Sequence, residues 1–135
     1  MHGVTVLVIE QGAEAGLVCA ALARCPEVRV VDAPDLGDAL KQLEKQPEQV
    51  ALAIAGAAAL AASADELVTR LAARGIPVVG VAAGLAPATR QRALAAGVRE
   101  IHDRPTAWQP YSKLIDSLVA RFTPAGLPPH QGPTN

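Results

Sequence analysis

Residues 50–60 read VALAIAGAAAL, an aliphatic run that passes directly into an alanine-rich stretch. The run has the composition of a β-strand that is covered on both faces, as strands of parallel sheets are. In α/β proteins the chemistry usually lies where such a strand ends. This strand, which we expect over residues 49–55, ends without a polar side chain. The stretch therefore predicts a buried strand that lacks the chemical group usually found at its end.

The same alternation of strand and helix extends in both directions from this stretch. Aliphatic runs at residues 4–9, 28–31, 77–81 and 98–102 predict four further strands, and a helical pattern follows each of them. Five such units with short connections predict one parallel sheet with right-handed crossovers and helices on both faces. The sequence therefore predicts an α/β fold in which any site lies at the carboxyl ends of the strands.

Helix boundaries are visible at several places. Residues 63–66, SADE, form a capping box that predicts the start of the third helix, and Gly75 supplies its stop. Pro87 is a natural first-turn residue for the fourth helix. We place the start of the last helix at Pro110, because a proline further inside the helix would be unfavourable, and its end near Arg121.

Length and charge limit the classes of function. The chain has 135 residues, which fit one domain over residues 1–122 and a Pro- and Gly-rich tail or linker over residues 123–135. Its 12 basic and 13 acidic residues are mixed along the sequence, so we expect no direct binding of nucleic acid. The longest uncharged apolar run, residues 50–62, is too short to span a membrane, and no leader pattern opens the chain. We expect a cytoplasmic protein that does not associate with membranes.

The residues that could carry catalysis are sparse. Cys19 and Cys25 lie six positions apart with no second pair and no clustered histidines, which predicts two reduced thiols rather than a zinc site or a disulfide. His102 at a strand end and His130 in the tail have no serine or cysteine nucleophile beside them. Without a triad, a metal cluster or paired carboxylates, we expect no enzyme, no cofactor and no metal.

The strand ends resemble those of response-regulator receiver (CheY-like) domains over about residues 4–122. VLVIEQ resembles the strand that ends in an acidic pair, PVVGVAA the fourth strand, and ALAAGVREIHDRP the stretch that ends in Lys-Pro. The resemblance implies a flavodoxin-like, doubly wound sheet of five strands in the order 2-1-3-4-5. It also implies a role in two-component signal transduction.

Carried over position by position, the resemblance implies a receiver pocket that has lost its chemistry. Glu10 and Gln11 fall on the acidic pair, so one of the two metal-binding carboxylates is an amide. Ala53 falls on the phospho-accepting aspartate, with Ala55 as the alternative register. The remaining pocket positions, a hydroxyl residue, a lysine and a proline in the family, fall on Ala82, Arg104 and Pro105. In the family the peptide bond before that proline is commonly cis.

The missing groups are those that phosphoryl transfer needs. The acceptor must supply a carboxylate oxygen, and Mg²⁺ needs several oxygen ligands. With Glu10 as the lone acid, we expect a degenerate pseudo-receiver with neither autophosphorylation nor a specific Mg²⁺ site. Two arrangements of the remaining charges stay open. Glu10 and Arg104 pair with each other, or with Gln11 and backbone, to close the pocket, or Arg104 binds a small anion together with Gln11.

Receivers signal through the surface formed by helix four, strand five and helix five, and the resemblance suggests the same face here. Its partner would be a regulator, a kinase or an effector domain, or a second copy in a homodimer. In the family this face includes a switch position, often Tyr or Phe, which falls on Ile101. The face would consist of this residue, two aromatics and basic residues: Arg90, Arg92, Arg99, Ile101, Trp108, Tyr111 and Lys113. Aromatic and arginine side chains are favoured in interface cores. The alternative is that Trp108 covers the core beneath the last helix and the arginines are ordinary solvated residues.

Three functions stay open on the sequence alone. The first is a phosphorylation-independent protein-interaction module, either free-standing or as one domain of a longer regulator. The second is a sensor of a small anionic ligand in the emptied pocket. The third is a receiver that is phosphorylated at an unusual site.

Overall fold

The protein is described by a computed structural model that covers residues 4–45 and 49–122. The predicted tail at residues 123–135, with His130, lies outside the described residues. Five strands alternate with five helices in the order β1 (Val4–Ile9), α1 (Gly12–Ala23), β2 (Val28–Ala33), α2 (Leu36–Lys45), β3 (Val50–Ala55), α3 (Ala57–Ala72), β4 (Val78–Ala82), α4 (Pro87–Ala96), β5 (Glu100–Asp103) and α5 (Trp108–Phe122).

The five strands form one parallel sheet in the order β2-β1-β3-β4-β5, which confirms the predicted class and strand order. Ile9 at the end of β1 lies opposite Ala55 at the end of β3. Ala82 at the end of β4 lies opposite Asp103 at the end of β5. Because the strands are parallel and in this register, their carboxyl ends meet along one edge of the sheet.

The core lies on both faces of the sheet. Every residue of β1 is buried. Leu7 and Ile9 belong to the apolar cluster that includes residues of α2, α3 and α4. Val6 and Val8 belong to the cluster that includes residues of α1 and α5. Successive side chains of a strand point to opposite faces, so a continuous aliphatic run is needed to fill both layers.

The predicted start of the third helix coincides with a break inside α3, where two helical stretches meet. The helix α3 begins at Ala57, and Ser63 lies inside it with non-helical φ and ψ angles of −166° and 65°. The capping box therefore opens the longer of the two helical stretches that α3 joins at this kink, and a shorter stretch precedes it from Ala57. The alanines before Ser63 have a high helix propensity and continue the helix back to the end of β3.

The last helix starts two residues before the predicted position. The helix α5 begins at Trp108, which puts Pro110 in its first turn. The first four backbone N–H groups of a helix have no partner within the helix, so the missing N–H of this proline costs no hydrogen bond. None of the helices in the described ranges is both long and apolar enough to cross a membrane.

Candidate functional site

The predicted pocket residues lie along the edge where the strands end. Glu10 follows β1, Ala82 ends β4, and Arg104 and Pro105 follow β5. Ala82 is buried, and its carbonyl oxygen accepts a hydrogen bond of 3.0 Å from the backbone N–H of Arg104. No peptide bond in the described residues is cis, so the bond before Pro105 is trans and departs from the pattern that the resemblance implied.

Ala53 does not lie at this edge. It pairs with Leu7 of β1 and Val78 of β4 inside the sheet, and it is 0% exposed. Ala55, the alternative register, ends the strand and is followed by Gly56. The structure therefore places Ala53 in the body of the strand, and the β3 contribution to the site comes from Ala55 and Gly56.

Gly56 is the residue of the site that the sequence analysis missed. A Cβ atom at this position would lie 1.7 Å from Oε2 of Glu10 and 2.1 Å from its Cδ. The φ and ψ angles of Gly56 are −89° and −176°, an extended conformation that any residue can adopt. The glycine therefore leaves space for the Glu10 carboxylate, and its backbone conformation does not call for a glycine. The sequence signal was a glycine directly after the end of the strand.

Glu10 is half-buried, and its carboxylate points toward β3. Oε1 accepts a hydrogen bond of 3.0 Å from the backbone N–H of Gln11. Burial raises the pKa of Glu10, the hydrogen bond from Gln11 opposes this shift, and the charge of Glu14 adds to it. The carboxylate therefore lies beside Gly56, and its one hydrogen bond, from Gln11, offsets only part of the cost of burying its charge.

Arg104 pairs with Glu14 and not with Glu10. Its Nε atom lies 2.7 Å from Oε1 of Glu14 in the first turn of α1. That Nε atom is buried and has no well-aligned hydrogen bond within the described residues, so the contact is an ion pair by distance. Nη1 of Arg104 donates a longer bond of 3.3 Å to the carbonyl of Pro105. The predicted pair of Arg104 with Glu10 is therefore not formed. Glu10 binds the backbone N–H of Gln11, and Arg104 pairs with Glu14, a partner that the sequence analysis missed.

The predicted anion-binding pair of Gln11 and Arg104 is not assembled. The side-chain amide of Gln11 donates a 3.0 Å hydrogen bond to the carbonyl of Pro34, on the β2 side of β1. Arg104 is bound to Glu14 instead. Because each side chain is engaged with a different partner, they do not converge on a common ligand position.

The edge does not fit the Mg²⁺ ion that the resemblance implies for active receivers. Glu10 is a single carboxylate, and Gln11, Ala55 and Gly56 provide no second one at the ends of β1 and β3. Mg²⁺ requires near-octahedral oxygen ligands, usually with carboxylates among them. Across residues 4–45 and 49–122, no group of three or more histidine, cysteine, aspartate or glutamate side chains could hold a metal ion.

Tyr111 is not part of an exposed face. It is 2% exposed and packs in the cluster between the sheet and helices α1 and α5. Its hydroxyl is buried and has no hydrogen-bond partner in the part of the chain that the structure describes. Burial raises the pKa of Tyr111, and the nearby charge of Glu14 adds to the effect. The prediction of this aromatic as a surface contact is wrong, because Tyr111 lies with Ile115 and Leu118 on one apolar stripe of α5, at the spacing i, i+4 and i+7 of a core-facing side.

Trp108 is 43% exposed, and its ring lies close to Arg24 at the carboxyl end of α1. The guanidinium carbon of Arg24 lies 6.0 Å from the centre of its ring, which is within the range of a cation–π contact. The rings of Trp108 and Tyr111 are 6.1 Å apart. Arg24 also forms an ion pair with Asp116 of α5. Trp108 therefore lies at the seam between α1 and α5, which is defined here by Trp108, Arg24 and Asp116.

The basic residues of the predicted face have separate roles. Arg90 ties α4 to β5, because it pairs with Asp103 at 2.6 Å and donates a hydrogen bond to the carbonyl of Ile101. Ile101 itself is half-buried and packs against the core beneath α4. The other three basic residues are exposed: Arg92, Arg99 and Lys113. Arg92 also lines a groove beside α3.

His102 belongs to a charged cluster on β5. Its Nε2 lies 2.6 Å from Oε1 of Glu100, and Arg121 of α5 contacts both carboxylate oxygens of Glu100. These two partners lower the pKa of Glu100 to about 2, with Arg121 as the larger cause. His102 is therefore a hydrogen-bonded edge residue in this arrangement. Cys19 and Cys25 are free, and burial raises the pKa of both thiols.

Two grooves flank α3. One of 510 Å³ lies between α2 and α3 at the β1/β3 crevice, with Gln11 and Pro34 at one end and Arg70 at the other. The second, of 430 Å³, lies on the other side of α3 and includes Arg92. Both are lined by Ser63, the residue at the kink.

Comparison with known proteins supports the fold. No protein-family profile and no curated protein matches the sequence. Solved structures do match: the phosphorylated cyanobacterial phytochrome response regulator RcpA superposes with a TM-score of 0.73 at 14% identity, covering 94% of this chain and 98% of that one. A response regulator from Thermotoga maritima gives 0.69 at 16% identity, with coverages of 87% and 98%. An orphan response regulator of H. pylori gives 0.70 at 14% identity, with coverages of 90% and 99%. At these identities the similarity establishes a receiver-type fold.

Proposed function

We propose that this chain is a receiver-like signalling domain that works without phosphorylation, as a protein-interaction module in the cytoplasm. The observation that supports this proposal is the Glu10 carboxylate, which fills the space beside Gly56 at the end of β3. A receiver that accepts a phosphoryl group needs a carboxylate oxygen and a metal at this edge. In this chain the ends of β1 and β3 hold one carboxylate, that of Glu10, and it already packs against the backbone of Gly56.

Chemistry at the strand ends gives the proposal its physical basis. Ala55 and Gly56 cannot act as nucleophiles, since a methyl group and a hydrogen atom have no lone pair to donate. Glu10 is the remaining carboxyl group of the pocket, and burial raises its pKa. Arg104, the cation of the pocket, is held by Glu14. The groups that would bind and transfer a phosphoryl group are therefore either missing or already engaged.

A domain that phosphate cannot switch takes its conformational bias from a partner or from its own packing. Trp108 is exposed at the seam between α1 and α5 and is the side chain we propose for contact with a protein partner. Tryptophan and arginine are the residue types most enriched among those that dominate binding energy. The proposed contact therefore shifts from the α4–α5 face to this seam.

The first test is phosphorylation by a small phosphodonor. The wild-type chain and the Glu10→Gln variant are incubated with acetyl phosphate and Mg²⁺, and the intact masses are measured. We expect no gain of a phosphoryl group in either. A stoichiometric gain in the wild type would refute the proposal, and its loss in Glu10→Gln would identify Glu10 as an unusual acceptor.

The second test compares two exposed apolar side chains. Trp108 is 43% exposed and Leu94 of α4 is 44% exposed, so Leu94→Ala is a matched control for Trp108→Ala. Cross-linking with mass spectrometry in the source cell would identify bound proteins, and light scattering would report a homodimer. We expect the contact to be lost in Trp108→Ala and kept in Leu94→Ala. Equal profiles for both variants would argue against the seam.

A further inference from the structure

The two edge strands of the sheet differ in length and composition. The strand β5 has four residues, and β2, at the opposite edge, has six. The strand β2 contains three half-buried valines: Val28, Val30 and Val31. Its exposed side chains are those of Arg29 and Asp32. An edge strand that is neither short nor blunted by several charges offers its outer backbone groups to another strand. The edge at β2 is therefore the more open of the two.

The register of β1 and β2 shows which backbone groups of β2 point away from the sheet. The N–H of Val4 donates to the carbonyl of Glu27, and the N–H of Glu10 donates to the carbonyl of Ala33. In a parallel ladder both backbone groups of a residue point to the same side of the strand, and the side alternates from one residue to the next. The odd-numbered residues of β2 therefore face β1, and residues 28, 30 and 32 face outward.

Part of this outward-facing row is bonded within the chain. The N–H of Val28 donates a 3.0 Å hydrogen bond to the carbonyl of Cys25, after α1. At the other end of the strand, the side-chain amide of Gln42 in α2 donates a 2.7 Å hydrogen bond to the carbonyl of Asp32. Within the described residues, the other outward groups have no hydrogen-bond partner: the carbonyl of Val28, the N–H and carbonyl of Val30, and the N–H of Asp32. The open part of the edge is therefore centred on Val30.

These open groups are complementary to themselves. In an antiparallel pair, two residues that lie directly opposite each other exchange both N–H···O bonds, and the next such pair lies two residues away. With Val30 opposite Val30 of a second copy, the two residues bond to each other, and the N–H of Asp32 meets the carbonyl of Val28 across the pair. Centring the pair on any neighbouring residue would require the N–H of Val28 or the carbonyl of Asp32, which are already bonded. The edge therefore specifies one register.

The side chains allow close approach in this register. Val28 and Val30 pack against the cluster of α1 and α5, so the two copies of Val30 would meet on that face of the sheet. Cross-strand pairs of β-branched residues stabilise a sheet. On the other face Arg29 would lie opposite Val31 of the second copy, which its aliphatic stem can cover. Asp32 would lie opposite Val28, so the register places no like charges directly opposite each other.

We propose that the outer edge of β2 binds a second copy of this chain, in an antiparallel pair with Val30 on the two-fold axis. The sheets of the two copies would then form one continuous sheet. A second copy fits better than a strand of another protein, because the bonded and open groups of β2 match each other under a two-fold axis, the commonest symmetry of homodimers. The proposal goes beyond the proposed function and does not depend on it, since the pair uses neither Glu10 nor Trp108.

Sedimentation equilibrium of the purified chain, from micromolar to millimolar concentration, tests the proposal. We expect a monomer–dimer equilibrium for the wild type. Val30→Pro removes an N–H that a single copy does not use and that an edge strand can lack. In the dimer it removes half of the proposed hydrogen bonds, so we expect the dissociation constant to rise roughly tenfold or more. Val30→Ala is the matched control, because it also removes side-chain volume but keeps the N–H, and we expect a smaller rise.

The register is tested by oxidative cross-linking, which also serves if Val30→Pro fails to fold. Val30→Cys and Val28→Cys are compared in a Cys19→Ser, Cys25→Ala background, since both valines are half-buried on the same face of β2. The proposed pair puts the two Cα atoms of residue 30 about 5.5 Å apart, within reach of a disulfide, and those of residue 28 roughly 14 Å apart. We expect a disulfide-linked dimer from Val30→Cys alone.

The outcomes distinguish this edge from the rest of the surface. A wild type that stays monomeric at every concentration, or a dimer that Val30→Pro leaves as tight as the wild type, would overturn the proposal. Equal cross-linking at positions 28 and 30, or none at position 30, would also overturn it. Trp108→Ala should keep the dimer. Loss of the dimer in Trp108→Ala but not in Val30→Pro would place it at the seam between α1 and α5 instead.

Discussion

Nε of Arg104 lies 2.7 Å from Oε1 of Glu14, so the cation that follows β5 is bound to α1 and not to the carboxylate that follows β1. This pair joins the connection before α5 to the first turn of α1. The two helices pack on the same face of the sheet, and the pair fixes their amino ends to each other.

A double-mutant cycle should detect this pair. We expect Arg104→Ala and Glu14→Ala to be coupled by about 0.5–1 kcal/mol in the free energy of unfolding, because both side chains are partly shielded from water. Denaturant titration of the two single variants and the double variant measures the coupling. Arg104→Ala and Gln11→Ala form the control cycle, for which we expect additivity. A larger coupling energy between Arg104 and Gln11 than between Arg104 and Glu14 would contradict the ion pair of Arg104 with Glu14.

Substitutions at positions 10 and 56 should not be additive. A methyl group in Gly56→Ala would displace the Glu10 carboxylate, which is the mobile end of its side chain. We expect a loss of about 1 kcal/mol in the free energy of unfolding, the size of a modest overpacking. In the Glu10→Ala background the same substitution should cost clearly less, which denaturant titration measures. Equal costs in both backgrounds would contradict the steric relationship.

The hydroxyl of Tyr111 should be dispensable for stability. It is buried without a hydrogen-bond partner in the described residues, and burial of an unpaired polar group is unfavourable. We expect Tyr111→Phe to be neutral or to stabilise the fold by up to about 1 kcal/mol. Tyr111→Ala should instead cost about 3–5 kcal/mol, because the ring fills the core. Thermal and denaturant unfolding measure both. A clear loss in Tyr111→Phe would show that the hydroxyl has a partner.

Glu100 should make stability depend on acid pH. Its pKa is lowered to about 2 by Arg121 and His102, from an ordinary value of 4.5. A carboxylate with a lowered pKa stabilises the folded state above its ordinary pKa and loses this contribution as the pH falls toward the folded value. The contribution should therefore be complete above about pH 5 and vanish near pH 2. Since Arg121 is about half exposed, we expect roughly 1 kcal/mol.

The free energy of unfolding of the wild type and of Glu100→Gln, measured between pH 2 and pH 7, tests this. The two curves should converge as the pH falls. Glu66→Gln is a suitable control, because Glu66 and Arg70 form an exposed pair at 3.5 Å within one helix, for which we expect little effect. A difference in the free energy of unfolding between wild type and Glu100→Gln that stays constant down to pH 2 would contradict the lowered pKa of Glu100.

The fold could be predicted because its signal is local. The continuous aliphatic run of β1 must fill two layers, and the other strands have the same pattern. Ser63 shows the limit of local signals. The capping box is present and coincides with a break in α3, but it does not reveal that a further helical stretch precedes it from Ala57.

The site could be predicted only in part, because its contacts are distant along the chain. Arg104 and Glu14 are 90 positions apart, and neither residue type identifies the other as its partner. Tyr111 could have been assigned to the core, because Ile115 and Leu118 follow it at i+4 and i+7 and mark the buried stripe of α5. Gly56 was missed because its contribution is the absence of a side chain.

The edge strand β5 has a consequence for how copies of this molecule can associate. It is only four residues long, and Glu100 and Asp103 on it are engaged by Arg121 and Arg90. Short, charged edge strands resist the addition of a further strand, which is the first step of β-aggregation. Growth of the sheet from one copy to the next would have to break these ion pairs. Any assembly of this chain at β5 is therefore expected to proceed through helix surfaces, leaving the sheet finite.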